Sequence, residues 1–169
     1  MSWDRFVKLF HWSMATGIVA NYFFLEDGDQ PHEWLGYVLC AFVAARIIWG
    51  FYGPTNARFS SFLGSPLTAL REVRSLNKSH ELPDTHTVAG GYQLLFVMGL
   101  VLGLGATGWI HDLDAFWGED WPADVHEYMA TALIILAGVH ISAVAWMQLA
   151  LKMPVLRRMW LFRRKRTGH

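Results

Sequence analysis

Two histidines of the last apolar segment, His126 and His140, lie fourteen residues apart. In an α-helix fourteen residues rise about 21 Å and complete almost four turns, so both side chains lie on one face of the helix. Imidazole is a common metal ligand, and haem b can be held by one imidazole on each side of its iron. One helix therefore offers an axial ligand near each surface of a membrane, which predicts two haems stacked across it.

The composition is typical of an integral membrane protein. Of the 169 residues, 53% are hydrophobic, with nine Trp and eleven Phe. Four segments are long and apolar enough to cross a hydrocarbon core about 30 Å thick, at about residues 9–25, 34–52, 88–110 and 125–151. The first is short, so we expect Arg5 and Lys8 to extend from its end toward the membrane surface. It has no small-x-small cleavage site and is expected to be a retained helix, not a secretion signal. The chain is therefore predicted to be an all-α, integral membrane four-helix bundle that forms a single domain over residues 1–169.

The distribution of charge predicts the orientation of this bundle. Ten acidic residues and no Lys or Arg lie between Glu26 and Glu33 and between Asp112 and Glu127. Every basic residue except Arg46 lies before helix 1, between helices 2 and 3, or in the tail from Lys152. The positive-inside rule then predicts cytoplasmic N- and C-termini, with both short acidic loops outside. A cytoplasmic segment at about residues 65–76 and the basic tail 152–169 are expected to lie on anionic headgroups, and the alternative for the tail is a solvated charged segment.

The single cysteine limits how a cofactor can be attached. Cys40 lies inside the second apolar segment, and the chain contains no CxxCH motif for covalent attachment of haem. No disulfide can form within the chain, and any haem is expected to be bound non-covalently.

Depth in the membrane sorts the remaining histidines. Two ligands of one haem must come from two helices at the same depth. The predicted outer histidines are His32, His111 and His126, the predicted inner ones are His11, His86 and His140, and His80 and His169 lie in polar segments.

For the inner pair His11 is favoured over His86, because an ionisable residue inside the membrane is costly and usually functional. For the outer pair both His32 and His126 begin helices, whereas His111 ends helix 3; the residues alone leave this choice open. A histidine bonded to a neighbouring helix is the alternative role for His140.

Helix 2 carries a similar pattern. His32, Gly36, Leu39, Val43 and Arg46 fall on one side of the predicted helix, with Arg46 fourteen residues after His32. Arg46 is therefore expected at the depth of His140, where it could bind a haem propionate. The alternative is an arginine that extends to the inner surface.

These residues resemble the prokaryotic cytochrome b561 and nickel-iron hydrogenase b-type cytochrome family, four-helix membrane proteins with two b haems. The resemblance covers nearly the whole chain and rests on the order and spacing of five motifs: Arg5-Phe6-Val7-Lys8-Leu9-Phe10-His11-Trp12, His32-Glu33-Trp34-Leu35-Gly36, Arg46-Ile47-Ile48-Trp49-Gly50-Phe51, Gly53-Pro54 with Ala57-Arg58-Phe59, and His126-Glu127 with His140.

The resemblance implies which histidines form pairs. It pairs His11 with His140 at the inner haem and His32 with His126 at the outer haem. Close relatives begin helix 3 with a Gly-His-Asn-Pro element, of which this chain keeps His86 and a glycine in Thr85-His86-Thr87-Val88-Ala89-Gly90-Gly91. His86 is therefore a candidate for a quinone or propionate site.

The family also implies a function in the bacterial inner membrane. The leading hypothesis is an electron-transfer cytochrome of a respiratory chain, with quinone as substrate and a basic c-type cytochrome or a redox subunit as partner at the acidic outer face. The alternatives are a superoxide:quinone oxidoreductase and a haem-bearing membrane anchor of a hydrogenase or dehydrogenase. A metal transporter is less consistent with helices that lack deep acidic residues. No nucleic-acid partner is expected.

Overall fold

The computed structural model describes residues 5–61, 63–65, 67–68, 71–72, 88–152 and 156. Its four long helices are α1 (Arg5–Phe23), α2 (Gln30–Tyr52), α3 (Val88–His111) and α4 (Trp121–Leu149), and short 3₁₀ turns occupy Thr55–Ala57, Phe59–Ser61 and Asp114–Phe116. No strand occurs in the described ranges. The prediction of an all-α chain with four long helices is confirmed.

The helix boundaries follow from local sequence signals. Both α2 and α4 have a proline in the first turn, at Pro31 and Pro122, where the missing N–H has no helical partner to lose. At its other end, α2 stops at Gly53, which precedes Pro54 and donates its N–H to the Trp49 carbonyl. The two predicted outer connections, residues 24–29 and 112–120, are short, so the helices they join lie side by side.

Three of the four helices, α2, α3 and α4, are long and apolar enough to cross a membrane. They expose large apolar side chains such as Phe96, Ile135 and Leu149, as expected of surfaces that face lipid. Helix α1 was predicted to cross the membrane as well, but it is not among the helices that are long and apolar enough to do so.

Lys8 differs from its predicted position at the membrane surface. Its side chain is only 6% exposed. Lys8 lies one turn before His11, on a similar side of α1. The prediction that it extends outward is therefore wrong, because its position on the helix places it inside the bundle.

Residues from all four helices form one core. Close backbone contacts join α3 to α4, α2 to α3 and α1 to α2, whereas α4 makes few with α1 or α2. Three interhelical contacts involve glycine: Gly17 against Leu39, Gly105 against Cys40, and Gly103 against Met129. The buried apolar side chains of this core are Phe10, Met14, Leu39, Val43, Phe59, Met98, Val101 and Leu133.

Arg46 joins the end of α2 to the segment that follows it. Its side chain is fully buried, and Nη2 donates a hydrogen bond of 3.0 Å to the Ala57 carbonyl. The guanidinium carbon also lies 5.1 Å from the centroid of the Phe59 ring, within the range of a cation–π interaction. Arg46 therefore does not extend to the membrane surface, but holds residues 57–59 against α2.

Beyond this segment, Ser65 Oγ accepts a hydrogen bond of 3.2 Å from the Leu67 N–H, the geometry of a helix N-cap. Most of the predicted interfacial segment at 65–76, and all of the basic tail except Lys152 and Leu156, lies outside the described residues.

Replacing Gly50 should destabilise the docking of residues 57–59. A Cβ at this position would overlap the Phe59 ring, which is buried and held by Arg46. We expect Gly50→Ala to lower the free energy of unfolding by about 1–3 kcal/mol, the usual cost of overpacking. Thermal unfolding in detergent measures this change.

The matched control is Gly99→Ala in α3, where an added Cβ meets no atom within 4 Å. This variant should unfold close to the parent. Equal unfolding midpoints for the two variants would contradict the close contact between Gly50 and Phe59.

Candidate functional site

The first histidine pair joins α1 to α4 near the predicted inner surface. The rings of His11 and His140 have centroids 6.1 Å apart and planes inclined at 54°. His11 lies two turns from the start of α1, and His140 lies in the last third of α4. The antiparallel arrangement of α1 and α4 brings these two positions to the same end of the bundle.

The second pair joins α2 to α4 near the opposite end. His32 and His126 have ring centroids 6.1 Å apart and ring planes inclined at 50°. Both lie in the first two turns of their helices. The structure therefore brings His32 to His126, while His111, the other outer candidate, has an exposed side chain at the end of α3.

The separation in each pair fits one metal atom between two imidazoles. A metal–imidazole nitrogen bond of about 2.0 Å, the value for zinc, and a ring radius of roughly 1.1 Å place two opposed ring centroids roughly 6.2 Å apart. Both observed separations are 6.1 Å. Within the described ranges no group of three or more His, Cys, Asp or Glu side chains converges. The histidines are thus arranged as two facing pairs, the donor set of a bis-histidine haem.

The helices enclose an apolar cavity beside the second pair. The cavity is open and lies beside His32 and His126. Its walls come from all four helices and are mostly apolar, with Gly36, Gly105 and Gly108 among the lining residues. Glycines let a macrocycle approach the backbone closely. Asn21 and Tyr37 supply polar side chains at the same cavity, and nothing in the sequence had singled them out.

Two polar residues of α3 contact the histidines of α4. Thr107 Oγ1 lies 3.0 Å from His126 Nδ1, and Gln93 Oε1 lies 3.3 Å from His140 Nδ1. The sequence reasoning missed both. One signal was available, because Gln93 and Thr107 are also fourteen residues apart, like the two histidines that they contact.

The other predicted site residues have different surroundings. Arg46 is buried and donates to the Ala57 carbonyl, as described above. His86 lies outside the described residues. The stripe predicted on α2 is the face of that helix that packs inward, since Leu39, Val43 and Arg46 are all buried.

The predicted outer end of the bundle is acidic and exposed. The Oδ1 atom of Asp27 lies 3.7 Å from His32 Nδ1, and the Asp27 side chain is 96% exposed. Trp117, in the connection from α3 to α4, is 90% exposed. Ten acidic residues lie at this end, on the two connections and in the first two turns of α2 and α4. Glu33 is half-buried, and the other nine have exposed side chains: Glu26, Asp27, Asp29, Asp112, Asp114, Glu119, Asp120, Asp124 and Glu127.

The chain matches the family described as prokaryotic cytochrome b561 over residues 2–161. It is also 26% identical over 159 residues to cytochrome b562 of Cereibacter sphaeroides, an alignment that covers 88% of this chain and 89% of that protein. No solved structure is significantly similar to the chain. With a family match over nearly its whole length, the chain belongs to the prokaryotic cytochrome b561 family, membrane proteins that transfer electrons through b-type haem.

Proposed function

We propose that this protein binds two b-type haems and transfers electrons between the quinone pool and a redox partner at the outer, periplasmic face of the bacterial inner membrane, as part of a respiratory chain. The observation that carries the proposal is the presence of two facing histidine pairs, each with ring centroids 6.1 Å apart, at two levels of α4. His11 and His140 ligate the inner haem, and His32 and His126 ligate the outer one.

The two pairs divide the width of the membrane. His126 and His140 are separated by a helical rise of about 21 Å, a large part of a hydrocarbon core about 30 Å thick. Haem supplies the one-electron redox chemistry when it is bound. The residues of the chain hold the two sites at fixed depths and surround them with apolar side chains, among them Leu133 between the two levels.

Buried cations support a propionate site near the inner pair. Arg46 is fully buried and Lys8 is 6% exposed, and both belong to the end of the bundle that carries His11 and His140. A guanidinium group in this position can bind a propionate through charge-assisted hydrogen bonds. Arg46 is the proposed propionate partner, and His86 remains the candidate for a quinone or propionate site.

The acidic outer surface supports a basic partner. Nine exposed carboxylates lie on the two outer connections and the first two turns of α4, which carry no Lys or Arg. Their field attracts a basic c-type cytochrome or redox subunit and repels an anion such as superoxide. This favours electron transfer to a protein partner over superoxide:quinone oxidoreductase activity.

A membrane anchor of a hydrogenase or dehydrogenase complex is the second candidate. The outer connections, residues 24–29 and 112–120, are too short to form a separate reaction site. In this case the chain would carry electrons only within a complex, and a soluble redox subunit would co-purify with it.

Haem content tests the ligand scheme. The purified parent should hold two haems per chain, measured by haem quantification and a reduced-minus-oxidised spectrum. His140→Ala should lose the inner haem and His32→Ala the outer one, because each removes one of two axial ligands. His111→Ala is the matched control, since its side chain is exposed at the outer end of α3, and it should keep both haems. A single haem in the parent, or two haems in His140→Ala, would show the scheme to be wrong.

The proposed orientation can be tested with fusions to the C-terminus. The positive-inside rule places His169 in the cytoplasm, so a green fluorescent protein fused there should fluoresce and an alkaline phosphatase should be inactive. Phosphatase inserted after Gly118, in the second acidic connection, should be active. The opposite pattern of activities would invert the assignment of inner and outer haems.

The acidic surface should control the rate of electron transfer to a basic partner. With the haems reduced, the rate constant for reduction of a basic mitochondrial cytochrome c should fall as ionic strength rises. The double variant Asp27→Asn, Asp29→Asn should lower this rate roughly threefold to tenfold at low salt, because it weakens the steering field. Asp84→Asn, which neutralises a carboxylate of the predicted cytoplasmic connection, is the control. A rate that is independent of salt and of both variants would exclude electrostatic docking at this surface.

A further inference from the structure

Helix α3 contributes no ligand to the proposed haem sites, yet it places a polar side chain beside both histidines of α4. The hydroxyl oxygen of Thr107 is 3.0 Å from His126 Nδ1, and the amide oxygen of Gln93 is 3.3 Å from His140 Nδ1. Gln93 and Thr107 are fourteen residues apart, as are His126 and His140, and α3 and α4 pack closely in an antiparallel arrangement. Each polar residue therefore meets one histidine.

The surroundings of Thr107 favour one direction for the hydrogen bond at the outer site. Its Oγ1 lies 2.9 Å from the Gly103 carbonyl oxygen and 3.1 Å from the Leu104 carbonyl oxygen. A carbonyl can only accept, so we assign the single hydroxyl proton to one of these two oxygens. The hydroxyl oxygen then presents a lone pair to His126, and the imidazole donates from Nδ1–H.

The surroundings of Gln93 lead to the same result at the inner site. Its Nε2 group lies 3.3 Å from the Leu136 carbonyl oxygen, which can only accept a hydrogen bond. This contact fixes which end of the amide faces His140, because the opposite orientation would set two oxygens against each other. The amide oxygen is an acceptor, so His140 also donates from Nδ1–H.

A neutral imidazole carries one N–H, so a proton on Nδ1 leaves the lone pair on Nε2 available to a metal. We propose that Gln93 and Thr107 are positioning residues that fix the tautomer and ring orientation of His140 and His126, and that each lowers the midpoint potential of its own haem. This inference rests on the proposed ligand scheme. Its physical basis is that an acceptor at the outer N–H makes a ligating imidazole more basic, which favours the oxidised metal.

The partner rings on α1 and α2 lack such an acceptor. In the described part of the chain, the buried Nδ1 atoms of His11 and His32 have no hydrogen-bond partner. Asp27, the nearest carboxylate to His32, lies 3.7 Å away, beyond hydrogen-bond distance. Each haem site thus combines one ring oriented by α3 with one ring held by packing, and the contacts from α3 are the ones that a substitution can remove selectively.

The test is a potentiometric titration of the full-length, haem-loaded protein and its variants. Thr107→Val keeps the shape of the side chain but removes the acceptor, so the midpoint potential of the outer haem should rise while that of the inner haem stays unchanged. Gln93→Met should raise only the inner potential. Haem lost from a variant should likewise come from that one site, with an affinity roughly 10- to 100-fold weaker.

Two controls separate this role from general packing. Thr107→Ser keeps the hydroxyl that Thr107→Val removes, so the midpoint potential of its outer haem should equal the parent value. Ser142→Ala removes a hydroxyl two residues from His140 that donates only within α4, to the Gly138 carbonyl, and it should move neither potential.

Unchanged potentials in both Thr107→Val and Gln93→Met, or potentials that shift together in each, would overturn the positioning role. So would a Thr107→Ser variant that behaves like Thr107→Val. The ligand scheme fails separately, through the haem count of the parent and of His140→Ala. Two haems in the parent with unchanged potentials in the variants would therefore reject the role of α3 and leave the ligand scheme standing.

Discussion

The proposed function depends on one physical constraint: two imidazoles from different helices must face each other across the space of one metal atom, at one depth. The separation of 6.1 Å at both pairs meets this requirement twice. Since His126 and His140 both lie on α4, that helix sets the distance between the two levels through its rise per residue. Helices α1 and α2 need only supply one histidine each at the matching height.

The packing of the bundle is compatible with the same requirement. Helix α4 packs closely on α3 and makes few backbone contacts with α1 or α2, the helices that carry the facing histidines. A flat cofactor needs this separation, whereas the glycine contacts of Gly17 and Gly105 hold α1, α2 and α3 close together. In the proposed scheme α3 therefore combines two tasks: it supports α4 by packing, and it orients the proposed ligands His126 and His140 through Thr107 and Gln93.

Much of this organisation could be predicted before the fold was known. Apolar length and composition indicate the helices, and the fourteen-residue interval indicates that His126 and His140 lie on one face of α4 at two heights. Single residues were harder to place. Lys8 was expected to reach the surface but is buried, and a role for Gln93 and Thr107 was not foreseen, because polar residues in an apolar helix reveal their function only through the neighbour that they meet.

By itself the sequence determined the properties of each helix and each connection taken alone. These are the length of the helix, the face on which residues i and i+14 lie, and the separation of acidic from basic segments. Tertiary structure decided which side chains meet. The selection of His32 over His111 opposite His126, the burial of Arg46 against residues 57–59, and the contacts of α3 with α4 all depend on the rotation of one helix relative to another. That rotation is set by packing among distant residues, and helical periodicity within one segment carries no information about it.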